Sequence, residues 1–543
     1  MEKEMLKLKV QMLGGFSMTL GDEPLSFSRN STTKAMKLLQ ILLYHSKQGI
    51  SRKTLIEYLY GREDMADAAN SLRVTVHRMK KMLTDMGLPK HNYVRISKGV
   101  YQWDAPVETV LDVFCFENIL EGIMAEDWYR VDNVAKVFLA AHNNRDTRVM
   151  RVSATLNEEI DEKLLNEALG ITIKSRPEFQ VRIRRGFFWH YMEQTDHIPV
   201  AVKESGRPCP VLYGRNFRGV LHYKVTYYEK RINIDIFHAI ADGTGALSFL
   251  KLLVLNYLRL SHPGELNDLV VDSATSVDDR YKNSFVQFCE KTERAIPKRI
   301  LNKKSKAYHI QSGKLPFDQL QFMEVHMPAS GVLSKAKELQ VSMTSFLGAT
   351  LMMAINADRP YMQRSKPITI SLPVNLRNYY PSDTMRNFFN NVDVTHVFDG
   401  SETIESLARE FDTVFKEKLT PEKIQEQMDR YQSIERIGLT RITPLAIKQI
   451  VVKAFQKSED GRVTAVLSNL GRLELPEEMR PYVKEVSDFC ATNKLFITIT
   501  SLDDDLVLGI ANAYTNTGVI SRFISGIRPD EGDVILHCTE VYR

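Results

Sequence analysis

The pattern of predicted strands and helices changes near residue 105, and this change limits the folds that the chain can adopt. Before it, short strands are followed by three helical segments and by a hairpin over 93–104. After about residue 126, strand and helix patterns alternate. A chain of 543 residues also exceeds what one ordinary core can organise. We therefore predict an N-terminal domain over 1–105, a connection over 106–125 and a larger domain over 126–543.

The order of elements within 1–105 is that of a winged helix, and the third helix, about 66–86, is its most informative segment. Its apolar residues recur at helical spacing and predict one buried stripe. The stripe consists of Leu72, Val76, Met79 and Leu83. No acidic residue occurs between Asp67 and Asp85, so the remaining faces of the helix are polar and basic.

The polar side chains of this helix and of the hairpin are candidate DNA contacts. A basic helix rich in hydrogen-bonding groups can read base edges in the major groove, and cations on a hairpin can contact phosphates. The candidates on the helix are Asn70, Arg73, Thr75, His77, Arg78, Lys80 and Lys81, and those on the hairpin are Arg95 and Lys98. A solvated surface helix would show the same charge pattern, so the residues alone leave both interpretations open.

Composition excludes several other classes of protein. The net charge of +5 is nearly neutral for this length, so any nucleic-acid signal must be local. Five scattered cysteines without C-x-x-C spacing argue against a disulfide framework or a thiolate zinc site, and we expect no metal centre. No apolar stretch approaches 18 residues, and the N-terminus lacks the apolar core of a signal peptide. We therefore expect a cytoplasmic protein without a membrane span.

The larger domain has a pattern that divides it into two similar parts. Strands and helices alternate over about 126–262 and again over 319–543, and the pattern weakens over 263–318. We interpret 263–318 as a crossover between two halves. The fold class is accordingly α/β and α+β multidomain, with an N-terminal winged helix followed by a two-halved domain.

The motif that could carry chemistry is H-x-x-x-D-G, formed by His238, Asp242 and Gly243 at the end of a predicted strand. The period of two places His238 on the same face as Ile234 and Ile236, so the histidine leaves the buried side of a sheet. A partly desolvated imidazole can remain neutral near pH 7 and accept a proton. A histidine on an apolar face is more often an ordinary core residue, and this short motif also occurs by chance.

Residues 7–105 resemble the DNA-binding domain of SARP-type transcription activators, a winged helix of the OmpR type. The resemblance rests on the opening L-G-G-F, on Ser51-Arg52 at the start of the second helix and on A-N-S-L-R at the start of the third. It implies double-stranded DNA as a partner. Regulators of this type often act as several copies, so a homo-oligomer on DNA is an open expectation.

Residues 126–543 resemble bacterial alcohol acetyltransferase-like proteins. These belong to the superfamily of chloramphenicol acetyltransferase and peptide-synthetase condensation domains. Besides the string around His238, the resemblance rests on S-L-P-V-N-L-R over 371–377 and on S-N-L-G over 468–471. It implies two halves with a channel between them, acyl-CoA as co-substrate with acetyl-CoA as the first candidate, and no tightly bound cofactor. Many members have two adjacent histidines, whereas here the first is Phe237.

The same resemblance implies roles for individual residues. His238 would act as general base on a small alcohol or amine, which attacks the thioester without a covalent acyl-enzyme. Asp242 would hold the loop through an arginine, for which Arg377 is the candidate, and Gly243 would permit a tight exit into the next helix. The candidate donors to the tetrahedral oxyanion are Asn375, Ser468 and Asn469. Turn capping is the alternative role for an asparagine after a strand.

Three functions remain open from the sequence. The chain could be an acyltransferase with an appended DNA-binding module, a regulator whose acyltransferase fold senses an acyl-CoA or metabolite without turnover, or a regulator that is also catalytically competent. The intact His238 and Asp242 favour chemistry, and the basic third helix favours regulation. We expect a DNA-binding regulator with a potentially active acyltransferase domain.

Overall fold

The computed structural model divides the chain into two compact units, Met1–Asp127 and Trp128–Arg543. The residues that the structure describes are 7–12, 16–21, 23–25, 33–46, 49–60, 68–97, 99–111, 128–186, 189–214, 217, 220–266, 269, 277–289, 306–316, 319–435 and 445–538. Each unit has its own hydrophobic core.

The first unit contains two small sheets and three helices. Its elements are β1 (Lys7–Gln11), β2 (Ser17–Leu20), β3 (Glu23–Leu25), α1 (Thr33–Tyr44), β4 (Ile50–Ser51), α2 (Arg52–Tyr60), α3 (Ala68–Asp85), β5 (Val94–Ser97), β6 (Val100–Trp103) and β7 (Glu108–Leu111). The sheet orders are β3-β2-β1-β7 and β4-β6-β5. The hydroxyl of Ser51 accepts a hydrogen bond from the backbone N–H of Thr54 at 3.2 Å, as expected for the cap of α2.

The apolar stripe of α3 lies in the core of the first unit. Leu72, Met79 and Leu83 are fully buried, and Val76 is nearly so, because this face packs on α1 and α2. The other faces of α3 are left for solvent or a ligand. This is the arrangement that the spacing of the four residues predicts.

The structure corrects the predicted connection over 106–125. Strand β7 (Glu108–Leu111) pairs in parallel with β1, so it completes the four-stranded sheet of the first unit. Its four residues carry no alternating apolar pattern strong enough to separate them from a linker. The rest of the predicted connection, 112–125, lies outside the described residues.

The first half of the second unit contains two sheets and several helices. Its elements are β8 (Trp128–Arg130), α4 (Asn133–Ala141), β9 (Val149–Leu156), α5 (Glu162–Ser175), β10 (Val181–Arg185), β11 (His190–Gln194), β12 (Val202–Lys203), β13 (Tyr223–Tyr228), β14 (Arg231–Phe237) and α6 (Gly243–Ser261). Helices α5 and α6 pack together, and Ile232, Ile234 and Ile236 of β14 are fully buried in the same core.

The rest of the second unit contains the predicted crossover and the second half. The crossover forms α7 (Val277–Tyr281) and α8 (Ser284–Phe288). The second half contains β15 (Gln321–Pro328), α9 (Ala329–Glu338), α10 (Met343–Asp358), β16 (Ile368–Asn375), β17 (Phe389–His396), α11 (Ile404–Lys418), α12 (Pro421–Glu435), α13 (Leu445–Asp460), β18 (Ala465–Arg472), β19 (Val483–Cys490), β20 (Phe496–Leu502), β21 (Asp505–Asn512), α14 (Gly518–Ile527) and β22 (Ile535–Cys538).

The two halves are not separate segments of the chain, as the boundaries 126–262 and 319–543 had implied. The sheet of the first half has the order β12-β13-β14-β9-β19, so it takes its edge strand β19 from the second segment. A three-stranded sheet of order β10-β11-β8 belongs to the first segment. The seven-stranded sheet, β17-β16-β18-β20-β21-β15-β22, is built from the second segment alone. The exchange of β19 ties both halves into one unit.

Across the described part of the chain, no single helix is both long and apolar enough to cross a membrane. By length and composition alone, the pair α9 and α10 would pass together, although it bends by 83° between its helices.

Candidate functional sites

The exposed face of α3 gathers most of the predicted DNA contacts. Its members recur at i, i+3 or i+4, i+7 or i+8, and i+11, which places them along one side of the helix. They are Asn70, Arg73, Val74, His77, Arg78 and Lys81, and all are exposed. The sequence analysis missed Val74, which is 44% exposed. An apolar side chain on such a face can contact a thymine methyl group.

Thr75 was wrongly placed among the candidate contacts. It is only 7% exposed, and its hydroxyl bonds to the Ser71 carbonyl at 2.9 Å and to the Tyr60 hydroxyl at 2.6 Å. Thr75 therefore fixes α3 to α2 and is not available to DNA. Thr75 lies three residues after Leu72 and four before Met79, and this spacing places it on the buried side of α3.

The other predicted DNA contacts differ in how exposed they are. Lys80 is half-buried, and its ammonium donates to Asn92 Oδ1 at 2.5 Å. Arg95 is exposed on β5, and it donates to Gln102 Oε1 across the hairpin at 2.9 Å. Lys98 lies outside the described residues.

His238 follows β14 directly, and its ring lies between two aromatic side chains. The ring centroid is 4.5 Å from that of Phe138 on α4 and 5.5 Å from that of Phe389 on β17. The backbone N–H of His238 donates to the Arg148 carbonyl at 2.8 Å, which holds the turn against the residue before β9. The histidine is thus placed by elements of both halves.

Asn387 fixes which ring nitrogen of His238 carries the proton. Its Nδ2 donates to the His238 carbonyl at 2.9 Å and to Asp132 Oδ2 at 3.4 Å, so its Oδ1 must face the ring. That oxygen lies 3.1 Å from His238 Nδ1. Because Oδ1 can only accept, we assign the proton to Nδ1, which leaves Nε2 with a free lone pair. No local pattern in the sequence indicates Asn387, which lies far from His238 along the chain.

Burial lowers the pKa of His238, and the charge of Asp242 and the hydrogen bond to Asn387 only partly oppose that effect. The neutral imidazole is therefore the form present near pH 7. A neutral imidazole with an unprotonated Nε2 can accept a proton from an alcohol or amine.

Asp242 is held by a buried, two-pronged ion pair with Arg377. Arg377 Nη1 lies 2.7 Å from Oδ2, and Nη2 lies 3.2 Å from Oδ1. Oδ1 also accepts from the backbone N–H of Gly245 and so caps α6, and Oδ2 accepts from the N–H of Phe388. With both oxygens engaged, Asp242 supports the loop and is not free to act as a base. The pairing with Arg377 agrees with the expectation from the sequence.

Two glycines allow the halves to approach closely beside this ion pair. A Cβ on Gly243 would lie 2.6 Å from Leu470 Cδ2, and one on Gly245 would lie 2.2 Å from the Met385 carbonyl oxygen. Any larger residue at Gly245 would collide with backbone of the segment that carries Asn387. The loop therefore requires glycine for space as well as for a tight exit.

The predicted oxyanion donors lie near this loop but are engaged locally. Asn375 accepts from the Arg377 N–H at 3.0 Å and donates to Thr244 Oγ1 at 3.1 Å. Asn469 accepts from the Gly471 N–H at 2.8 Å and donates to Thr344 Oγ1 at 2.9 Å. Ser468 is buried within β18. These contacts fit turn capping, and each amide keeps one further N–H.

Phe237 occupies the position of the first histidine in the family that the sequence resembles, and it is fully buried. Its ring stacks on Tyr213 with centroids 5.1 Å apart and planes 4° apart, and the ring of His142 meets it edge-on at 6.0 Å. An aromatic wall therefore lies behind the strand that carries His238.

One set of potential metal ligands occurs among the described residues, away from His238. Single donor atoms of His326, Glu485 and Asp505 lie within 4.8 Å of one another. His326 Nδ1 is 3.0 Å from Asp505 Oδ2, and that hydrogen bond contributes to the raised pKa of His326. An ion pair accounts for this contact.

Comparisons with known proteins agree with this division of the chain. Residues 28–100 match the family described as "Transcriptional regulatory protein, C terminal". The N-terminal unit is a winged-helix DNA-binding domain. Comparison of the sequence with curated proteins gives no significant match.

Three solved structures resemble the rest of the chain. The first condensation domain of the calcium-dependent antibiotic synthetase has a TM-score of 0.51 and 11% identity, covering 74% of this chain and 96% of that one. F. sporotrichioides TRI101, solved with coenzyme A and T-2, has a TM-score of 0.50 and 9% identity, and the match covers 73% of this chain and 96% of that one. Polyketide synthase associated protein 5 from Mycobacterium tuberculosis has a TM-score of 0.50 and 12% identity, and the match covers 74% of this chain and 97% of that one. The second unit thus has the two-halved fold of CoA-dependent acyltransferases and condensation domains.

Proposed function

We propose that the chain is a DNA-binding transcriptional regulator whose second unit transfers an acyl group from CoA to a small alcohol or amine, with His238 as general base. The observation that carries the proposal is the hydrogen bond from His238 Nδ1 to Asn387 Oδ1, which leaves Nε2 free to accept a proton. Acetyl-CoA is the first donor to test. TRI101, which has this fold, was solved with coenzyme A.

The reaction follows from the state of the imidazole. The acceptor O–H or N–H donates to Nε2, and its proton moves to Nε2 as the acceptor atom attacks the thioester carbonyl carbon. The carbonyl π electrons move to oxygen and form a tetrahedral oxyanion. Collapse of that intermediate breaks the C–S bond, and the imidazolium returns its proton to the leaving thiolate.

The other residues of the site position His238 or stabilise the oxyanion. Asp242 and Arg377 hold the loop in place, and Gly243 and Gly245 bring it against the second half. The proposed donors to the oxyanion are the remaining amide N–H groups of Asn375 and Asn469 and the hydroxyl of Ser468. A single donor of this type typically stabilises the transition state by a few kcal/mol.

The role that we propose for the first unit is to bind double-stranded DNA. We propose that α3 enters the major groove through Arg73, Val74, His77 and Arg78, and that Arg95 contacts phosphate. A protein that binds chromosomal DNA and draws on acyl-CoA would act in the cytoplasm. We also expect more than one copy to assemble on repeated DNA sites.

The experiment that tests the catalytic proposal is release of free thiol from acetyl-CoA with a panel of alcohols and amines. The wild type, His238→Ala and the matched control His537→Ala are compared, because His537 is exposed on β22. Acceptor-dependent release by the wild type and the control, lost in His238→Ala, supports catalysis. Measurable CoA binding without release from any variant contradicts it and supports a regulator that senses acyl-CoA.

A further inference from the structure

A polar cavity lies on the opposite face of β14 from the buried isoleucines. Asp235 points to this face, three positions before His238, and pairs in register with Arg151 of β9 and Lys224 of β13. The cavity has a volume of about 90 Å³ and is also lined by Glu204, Arg207 and Thr226. That volume suits one small ion rather than an acyl chain.

The carboxylates of this cavity are already satisfied by protein groups. Arg151 donates to both oxygens of Asp235, at 2.9 and 2.6 Å, and to Glu204 Oε1 at 2.5 Å. Asn233 donates to Glu204 Oε2 at 3.2 Å. Neither carboxylate therefore needs the cavity for a partner.

Two buried polar groups on the cavity wall have no protein partner among the described residues. They are Arg207 Nη1 and the hydroxyl of Thr226, a residue that is only 2% exposed. A guanidinium nitrogen can only donate, so its missing partner must be an acceptor. An acceptor bound in the cavity would supply the missing partner of both groups.

The charges around the cavity also favour an anion. Three cations, Arg151, Arg207 and Lys224, line it against the two carboxylates that Arg151 already neutralises in part. The excess positive charge faces the same space as the two unpartnered groups. Phosphate offers several acceptor oxygens in different directions, which fits donors that come from separate elements better than a planar carboxylate does.

We propose that this cavity is a binding site for a phosphate group, held by Arg207, Thr226 and Lys224. The phosphate could be a free ion or part of a larger molecule such as CoA. The site is separate from the base: it occupies the Asp235 face of β14, whereas His238 lies in the turn after the strand. The proposal does not depend on turnover at His238.

The test is thermal unfolding of the full chain in increasing inorganic phosphate, against chloride at equal ionic strength. We expect a saturable rise in Tm for the wild type. Arg207→Gln should weaken the apparent phosphate affinity by about tenfold or more, because it removes a charge-assisted hydrogen bond. The matched control Arg522→Gln, at an exposed position of α14, should behave as the wild type.

A second variant keeps the test meaningful if Arg207→Gln fails to fold. Thr226→Val removes a hydroxyl that has no protein partner, so it should leave the Tm without phosphate unchanged or higher while reducing the rise with phosphate. Non-specific salt effects, and any phosphate bound by the DNA-binding unit, would be the same in all variants. An equal rise in wild type, Arg207→Gln and Thr226→Val, or no saturable rise, would overturn the proposal and leave only water in the cavity.

CoA and dephospho-CoA, which lacks the 3′-phosphate, distinguish the two sources. If CoA displaces phosphate, dephospho-CoA does not, and the displacement by CoA is lost in Arg207→Gln, the site binds a phosphate carried by CoA. Independent binding of CoA and phosphate identifies a free ion. Both outcomes support the site, and neither requires that the protein catalyse acyl transfer.

Discussion

At the scale of single residues, the base strength of His238 is set by burial and by Asn387. Burial lowers its pKa, so the acid limb of kcat/KM should lie below the usual histidine value of about 6.5. Asn387→Asp would place a carboxylate beside Nδ1, which favours the imidazolium, and should move that limb to higher pH. The measurement is the pH profile of kcat/KM with acetyl-CoA.

The sign of both effects can be checked with one further variant. Asn387→Leu removes the acceptor without adding charge, so it should lower kcat while the limb stays low or falls. An acid limb at or above 6.5 in the wild type would contradict the lowered pKa of His238, and no shift in Asn387→Asp would contradict the contact between Asn387 and Nδ1.

Arg377 should contribute to stability as well as to the site. Arg377→Gln would leave Asp242 buried beside a neutral side chain, and breaking one partner of a buried pair costs about 3–5 kcal/mol. The exposed pair of Lys423 and Glu426, 3.5 Å apart, is the control, since Lys423→Gln should change the free energy of unfolding by less than about 1 kcal/mol. Urea unfolding measures both. Equal small losses would mean that the Asp242 pair is not insulated from solvent.

Sequence reasoning reached some of these residues and missed others for physical reasons. His238 and Asp242 stand in one short motif, and Arg377 follows from a family resemblance. Asn387 acts through side-chain geometry across 149 positions, which no local pattern encodes. Thr75 was misplaced because its polar side chain was weighed above its helical position, which is three residues after Leu72 and four before Met79.

At the scale of elements, the start of α6 depends on the absence of a side chain at Gly245. A methyl group there would meet the Met385 carbonyl at 2.2 Å, so Gly245→Ala must displace either α6 or the segment that carries Asn387. We expect a loss of about 1–3 kcal/mol in the free energy of unfolding, as for other overpacked sites. Thiol release should fall with it, because His238 loses its partner.

Gly170 provides the matched control for this prediction. It lies within α5, and a Cβ there would meet nothing within 4 Å. Gly170→Ala should therefore be neutral or stabilising by up to about 1 kcal/mol. A Gly245→Ala protein as stable and active as Gly170→Ala would show that the loop can shift without cost.

The elements themselves were easier to predict than their partners. The alternation of apolar residues placed the strand before His238, which the structure has as Arg231–Phe237. It could not show that β19 (Val483–Cys490) joins the sheet of the first half. The sequence of an apolar strand does not indicate which strand it pairs with, because pairing is decided by tertiary packing.

At the scale of the whole molecule, the change of pattern near residue 105 predicted two units, and the structure has two. The boundary is later than expected because β7 completes the first sheet. The two halves of the second unit are joined by the exchange of β19, so we infer that neither half would fold alone from a contiguous segment. Met385 and Phe389, which lie on either side of Asn387, pack against the same core as the isoleucines of β14.

The last prediction concerns whether the two functions can be separated. Changing both Arg73 and Arg78 to Ala should weaken DNA binding by more than about tenfold, since each contact to a base is worth about 1–3 kcal/mol. It should also flatten the dependence of affinity on salt if either side chain contacts phosphate. CoA affinity and thiol release should not change, because both arginines lie in the first unit and His238 in the second.

A double change of Arg364 and Arg522 to Ala removes the same charge from exposed positions of the second unit and is the control. Retained DNA binding in the Arg73 and Arg78 double variant would mean that α3 is not the recognition helix. Loss of thiol release in that variant would mean that the units communicate. In that case, any factor by which CoA changes the affinity for DNA must equal the factor by which DNA changes the affinity for CoA, because the two binding free energies are linked. Measuring both factors would then give the coupling free energy directly.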